Sequence, residues 1–125
     1  MHNPRRVLLI DDSEVSRLVC ETLLVAEGYD MRTVETLAEL QQTLREWPPD
    51  VILTDMQMPG LTGVQVCQQL KSNPDTLRIP VVLYSSLPEE ELAVAALRCG
   101  ADAFVCKARR HEDLPVRLRE IFSGS

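Results

Sequence analysis

The 125-residue sequence predicts an open α/β domain in which helices cover both faces of a parallel sheet. Three observations predict it. Five short apolar runs recur along the chain, and stretches with a helical repeat of apolar residues separate them. Four of the five runs also end on a carboxylate, hydroxyl or ammonium group. Parallel strands need a crossover connection, usually a helix, so this alternation is the signature of consecutive βα units. Five units are too few to close an eight-stranded barrel, which leaves an open sheet.

The first run, Val7-Leu8-Leu9-Ile10, is continuous and rich in branched residues, as expected of a strand buried on both faces. Val15, Leu18, Val19, Thr22, Leu23 and Ala26 then recur at helical spacing, and Gly28 stands where a helix stop is expected. Polar residues interrupt the second run, Met31-Arg32-Thr33-Val34, which places it near a sheet edge. Leu37, Leu40 and Leu44 make the next helical stripe, closed by Pro48-Pro49. The third strand, Val51-Ile52-Leu53-Thr54, precedes a helix that starts after Gly63, carries Val64, Val66, Cys67 and Leu70, and ends near Asn73-Pro74. Val81-Val82-Leu83-Tyr84 is followed by a helix marked by Leu92, Ala95, Ala96 and Cys99 and stopped by Gly100. Ala103-Phe104-Val105-Cys106 and a stripe of Leu114, Leu118, Ile121 and Phe122 complete the fifth unit. The chain reads as one domain over 1–125, with a core from about residue 5 to residue 122. Ser123-Gly124-Ser125 is expected to be a frayed end, the start of a linker or a cloning remnant.

Composition excludes several classes of function. Nineteen acidic residues against 13 basic ones give a net charge of −6, which offers a polyphosphate backbone no general attraction. Aromatic residues make up 4% of the chain, too few for a base-stacking platform. Cys20, Cys67, Cys99 and Cys106 form no C-x-x-C pair, and no histidines cluster, so neither a zinc site nor a disulfide framework is expected. They read as small buried hydrophobes in a reducing compartment. The apolar run after Met1-His2-Asn3-Pro4-Arg5-Arg6 is too short for a signal peptide or a membrane span, and a cytoplasmic location is expected.

In open α/β sheets, ligands bind beyond the carboxyl ends of the strands. Here those ends carry Asp11-Asp12-Ser13, Asp55, Ser85-Ser86 and Lys107. Three converging carboxylates repel one another unless a cation lies among them, and a hard divalent ion with oxygen ligands suits such a set. A carboxylate beside a divalent cation and an ammonium is placed to attack phosphorus, and a nearby hydroxyl then hydrogen-bonds the phosphoryl group. The pattern suits an aspartyl phosphate. Taken alone, Asp11-Asp12-Ser13 also fits an ordinary turn in which Ser13 caps the next helix.

The set Asp11-Asp12-Ser13, Asp55-Met56-Gln57-Met58-Pro59-Gly60 with Gly63, Ser85-Ser86, then Gly100-Ala101-Asp102 and Lys107 occurs in a distinctive order. It resembles the response-regulator receiver domains of bacterial two-component signalling, chemotaxis regulators included, over essentially the whole chain. The resemblance implies a flavodoxin-like (βα)5 doubly wound sandwich with a five-stranded parallel sheet in the order 2-1-3-4-5. It implies a phosphoacceptor at Asp55, dependent on Mg2+ or Mn2+, that receives its phosphoryl group from a sensor histidine kinase or phosphotransfer protein. Asp12 would be the main side-chain metal ligand and Asp11 a ligand directly or through water. Asp55 and the backbone carbonyl of Gln57 would complete the protein's share. Ser85 would be the switch hydroxyl, Lys107 the phosphate-facing cation and Phe104 an aromatic switch, although Phe104 also fits ordinary packing.

The same resemblance implies a downstream protein target or output domain, and allows a homodimer, with no direct role for nucleic acid or membrane. Such a domain is not an enzyme acting on a separate substrate; it assists its own phosphoryl transfer and dephosphorylation. Nothing after the fifth helix supplies an output, so the chain is either free-standing or one piece of a longer protein.

The family usually follows its lysine with a cis proline, whereas Ala108 stands here. A non-proline cis bond costs about 2.5–4 kcal/mol, so a trans bond is expected after Lys107. Phe104 replaces the commoner tyrosine. The following Arg109-Arg110-His111 is basic in an acidic chain, and reads as a solvated patch or as a surface receiving an acidic partner. Ala108 also motivates a competing reading, a degenerate receiver acting as a phosphorylation-independent interaction module. A haloacid-dehalogenase-type enzyme would need a second acid two residues past the nucleophile, where Gln57 stands. A dinucleotide binder would need a Gly-rich first loop in place of Asp11-Asp12.

Overall fold

Along the chain the elements are β1 (Arg6–Ile10), α1 (Glu14–Ala26), β2 (Asp30–Val34), α2 (Leu37–Glu46), β3 (Val51–Thr54), β4 (Gln57–Met58), β5 (Leu61–Thr62), α3 (Gly63–Ser72), β6 (Val81–Ser85), α4 (Glu89–Cys99), β7 (Ala103–Cys106) and α5 (Asp113–Ser123). They come from a computed structural model that describes residues 4–108 and 112–123. Arg109, Arg110 and His111, singled out above as a basic stretch, lie outside the described residues.

Five parallel strands pair in the order β2-β1-β3-β6-β7, the flavodoxin-like arrangement, with β2 at an edge as its interrupted pattern predicts. Successive strand residues point to opposite faces, so each strand feeds two cores. Leu8, Ile10, Ile52 and Leu83 pack with Leu40 of α2, Val66, Cys67 and Leu70 of α3, and Leu92, Ala95, Ala96 and Cys99 of α4. Val7, Leu9, Val51, Leu53, Val82, Tyr84 and Val105 pack on the other side with Cys20 and Leu24 of α1 and Leu114 and Leu118 of α5. The four apolar residues expected of α4 are its buried residues, and Gly100 ends it at φ +77°. All four cysteines are buried free thiols.

Three features go beyond the sequence pattern. The stripe expected on α1 lies largely on its outer side: Val15 is 72% exposed and Leu18 63%, while Cys20 and Leu24 make the buried contact. This helix is apolar on two opposed sides, and only one can meet the sheet. Ser123 is the last residue of α5, its hydroxyl donating to the Glu120 carbonyl at 3.3 Å, and Gly124 and Ser125 lie outside the described residues. The stretch after Asp55 also folds into the β4–β5 hairpin, with Gln57 opposite Thr62 and Met58 opposite Leu61.

That hairpin returns the chain so closely that Gly63 has no room for a side chain. A Cβ there would lie 3.0 Å from Met56 Cα and closer still to the carbonyl oxygen of Asp55. Thr62 and Gln65 then form a reciprocal capping box that starts α3. Among the described residues, no helix is long and apolar enough to cross a membrane.

Candidate functional site

The sheet order places the ends of β1 and β3 side by side, and Asp55 N–H donates to the Ile10 carbonyl at 3.1 Å. This register brings Asp11, Asp12 and Asp55 together, each offering a carboxylate oxygen within 4.8 Å of the others. Asp11 is fully buried and Asp12 exposed.

Asp11 is held from several directions. Its Oδ1 accepts from Ser13 N–H at 3.0 Å, and its Oδ2 accepts from the Ser16 hydroxyl at 2.6 Å. Its carbonyl accepts from Arg17 Nη1 at 2.8 Å, and Arg17 is ion-paired with Glu35 at 3.1 Å. Ser13 also caps α1, accepting from Ser16 N–H at 3.2 Å, as the turn reading of this stretch expects.

Lys107 enters from the far side of the site. Its backbone N–H donates to the Ser85 carbonyl at 2.7 Å, continuing the β6–β7 pairing by one residue. Its ammonium donates to Asp11 Oδ2 at 2.7 Å and lies 3.9 Å from Asp55 Oδ1. The bond to Ala108 is trans, since no described peptide bond is cis, and the ammonium reaches the carboxylates without the proline.

Asp55 Oδ1 accepts from Met56 N–H at 2.7 Å. Burial pushes its carboxyl above the ordinary value; Lys107 pulls down, Asp11 pushes up, and hydrogen bonds from Met56 N–H and the Ser85 hydroxyl pull down. Ser85 is buried, and its hydroxyl oxygen also accepts from Leu87 N–H at 3.3 Å.

Two further residues named from the sequence lie on the elements that flank the carboxylates. Phe104 is half-buried and lines a groove with Ser86, Pro88 and Ala93 under the start of α4. Gln57 opens β4, two residues beyond Asp55, with its side chain exposed. Sequence reading missed Ser16 and Arg17, which brace Asp11, and Tyr84, which lies beneath Lys107 at 4.9 Å from ring centroid to ammonium. Ser16 was the most findable, one helical turn past Ser13.

A family model described as the response regulator receiver domain matches residues 7–119, and the chain belongs to that family of phosphoacceptor signalling domains. A gliding motility regulatory protein of Myxococcus xanthus is 39% identical over 102 residues, covering 82% of this chain and 13% of that protein. Response regulator PleD of Caulobacter vibrioides is 36% identical over 117 residues, covering 93% of this chain and 26% of its own length. Among solved structures, the signal receiver domain of a signal transduction histidine kinase from Syntrophus aciditrophicus superposes with a TM-score of 0.85 at 31% identity. That match covers 96% of this chain and 91% of the other. The chain spans about half or less of the length of the curated relatives it matches.

Receiver domains generally bind Mg2+ at an acidic pocket, and this donor set fits the ion. All three side chains offer hard oxygen ligands, and one of them is exposed.

Proposed function

We propose that this chain is a phosphorylation-operated switch with Asp55 as its phosphoacceptor. One observation carries the reading: the Lys107 ammonium is inserted between Asp11 and Asp55, at 2.7 and 3.9 Å, beside three converging carboxylates. The donor is the phosphohistidine of a sensor kinase or phosphotransfer protein. An Asp55 carboxylate oxygen attacks phosphorus, the phosphorus–nitrogen bond breaks, and the imidazole nitrogen leaves with the electron pair. Asp12, Asp11, Asp55 and the Gln57 carbonyl would hold Mg2+ or Mn2+, which offsets charge on the transferring oxygens when bound.

Lys107 supplies the second positive charge from a side chain only 13% exposed, where charge is weakly screened. The Ser85 hydroxyl is free to turn from Asp55 toward the phosphoryl oxygens, which draws in the loop that leads to α4. The aspartyl phosphate carries roughly −1.5 to −2 charges where the Asp55 carboxylate carried −1, by analogy with other phosphorylated side chains. The packing of α4, β7 and α5 shifts in response, and that face meets the downstream target or output domain. Phe104, which lines the groove under α4, is the side chain best placed to change rotamer with it. The chain assists its own phosphorylation and dephosphorylation and acts on no separate substrate. Its place of action is the cytoplasm, in keeping with four free thiols.

Treatment with acetyl phosphate and Mg2+ should give a retarded band on a Phos-tag gel. Asp55→Asn should abolish that band. A wild-type chain that never shifts, or a band that survives the substitution, overturns the reading in favour of a phosphorylation-independent interaction module.

A further inference from the structure

The residue before the switch hydroxyl is a tyrosine. Strand alternation turns Tyr84 to the α1/α5 side of the sheet, where it is fully buried beside Cys20, Leu114 and Leu118. Lys107 follows β7, and its backbone is tied to Ser85, the neighbour of Tyr84. Its side chain therefore crosses the ring, and the ammonium sits 4.9 Å from the ring centroid. An ammonium within about 6 Å of a ring face is attracted by the ring's negative quadrupole, more strongly where water is excluded.

Lys107 thus has three partners of different kinds. Asp11 is the shortest, Asp55 lies farther off, and Tyr84 forms the uncharged floor. Only the floor is indifferent to metal. A hard divalent cation draws on carboxylates and has no use for an aromatic face, so a cation that engages Asp11 removes the closest anchor of Lys107 and leaves the ring. Ala108, at the position where the family usually has proline, adds no ring constraint to the loop beyond Lys107.

We propose that Tyr84 is the positioning residue for Lys107, a cation–π floor that keeps the ammonium in the pocket while its carboxylate partners change. The inference rests on the reading of Lys107 as the phosphate-facing cation. A leucine at this position would fill the space but would not attract an ammonium.

Two measurements test it. In metal-free protein the ε-methylene protons of Lys107 should be shifted upfield by the ring current. Tyr84→Phe should keep that shift, and Tyr84→Leu should lose it. Phosphorylation by acetyl phosphate with Mg2+ should slow roughly tenfold in Tyr84→Leu and recover most of its rate in Tyr84→Phe. In a Lys107→Ala background, Tyr84→Leu should add no further loss, because the residue through which it acts is gone. Pentafluorophenylalanine at position 84 keeps the ring's shape and reverses its charge distribution, so it should behave like leucine and decides the matter if Tyr84→Leu does not fold. Equal losses in both backgrounds, or a wild-type rate in the fluorinated variant while Lys107→Ala is slow, overturns the proposal. A wild-type chain that takes no phosphoryl group overturns the phosphoacceptor reading instead.

Discussion

Asp11 and Lys107 lie 96 residues apart in the chain, yet they share a hydrogen-bonded ion pair of 2.7 Å in which the carboxylate is fully buried. The ammonium occupies Asp11 Oδ2, an oxygen that a divalent ion would also seek. Removing one partner of a buried pair leaves the other charge uncompensated. Lys107→Met should therefore cost about 2–4 kcal/mol in metal-free protein, and saturating Mg2+ should restore more stability to this variant than it adds to the wild type. Chemical denaturation with and without Mg2+ measures both. Equal Mg2+ stabilisation of the two proteins would show that ion and ammonium do not compete.

The hairpin after Asp55 leaves no space at Gly63, where a methyl group would press on the Asp55 carbonyl and Met56 Cα. Both are backbone atoms, so neither can swing aside. Gly63→Ala should destabilise the fold by about 1–3 kcal/mol through overpacking, and should slow phosphorylation because the displaced carbonyl belongs to the acceptor residue. A urea midpoint and a Phos-tag time course on the same preparation separate the two effects.

Burial raises the Asp55 carboxyl above its ordinary 3.8, more than Lys107 lowers it. A raised carboxyl is more easily protonated in the fold than in the unfolded chain, so its contribution is most favourable at low pH. That contribution is lost as pH rises from about 4 through the native value and the carboxylate ionises. Asp55→Asn removes the ionisation. Its Tm should exceed that of the wild type near neutral pH, and the gap should close toward pH 4. A gap that widens on acidification would reverse the sign argued here.

The two sides of α1 should respond oppositely to substitution. Leu18 is 63% exposed, so Leu18→Glu should change stability by no more than about 0.5 kcal/mol. Leu24 is fully buried beneath the sheet, and Leu24→Ala should cost about 2–4 kcal/mol. Thermal melts of the pair check which side faces inward.

Much of this fold was legible because its strands are short, apolar and buried on both faces. Val51, Ile52 and Leu53 have no exposed side to advertise, so an unbroken run marks them. The β4–β5 hairpin was not legible, because two-residue strands carry no periodicity. The buried face of α1 was not legible for a different reason. Val15 and Leu18 obey helical spacing as well as Cys20 and Leu24 do, and spacing alone does not say which side meets a sheet.

The sequence by itself determined the order of the βα units, the polar residues at the strand ends and the hard-oxygen chemistry they share. These follow from local pattern and residue type. Tertiary structure decided which atoms face one another: the pairing of Lys107 with Asp11, the bracing by Ser16 and Arg17, and the ring of Tyr84 beneath the ammonium. Those contacts depend on strand register, on the side to which a side chain turns, and on how far a flexible lysine reaches. No local spacing encodes such quantities, because residues distant in sequence set them together.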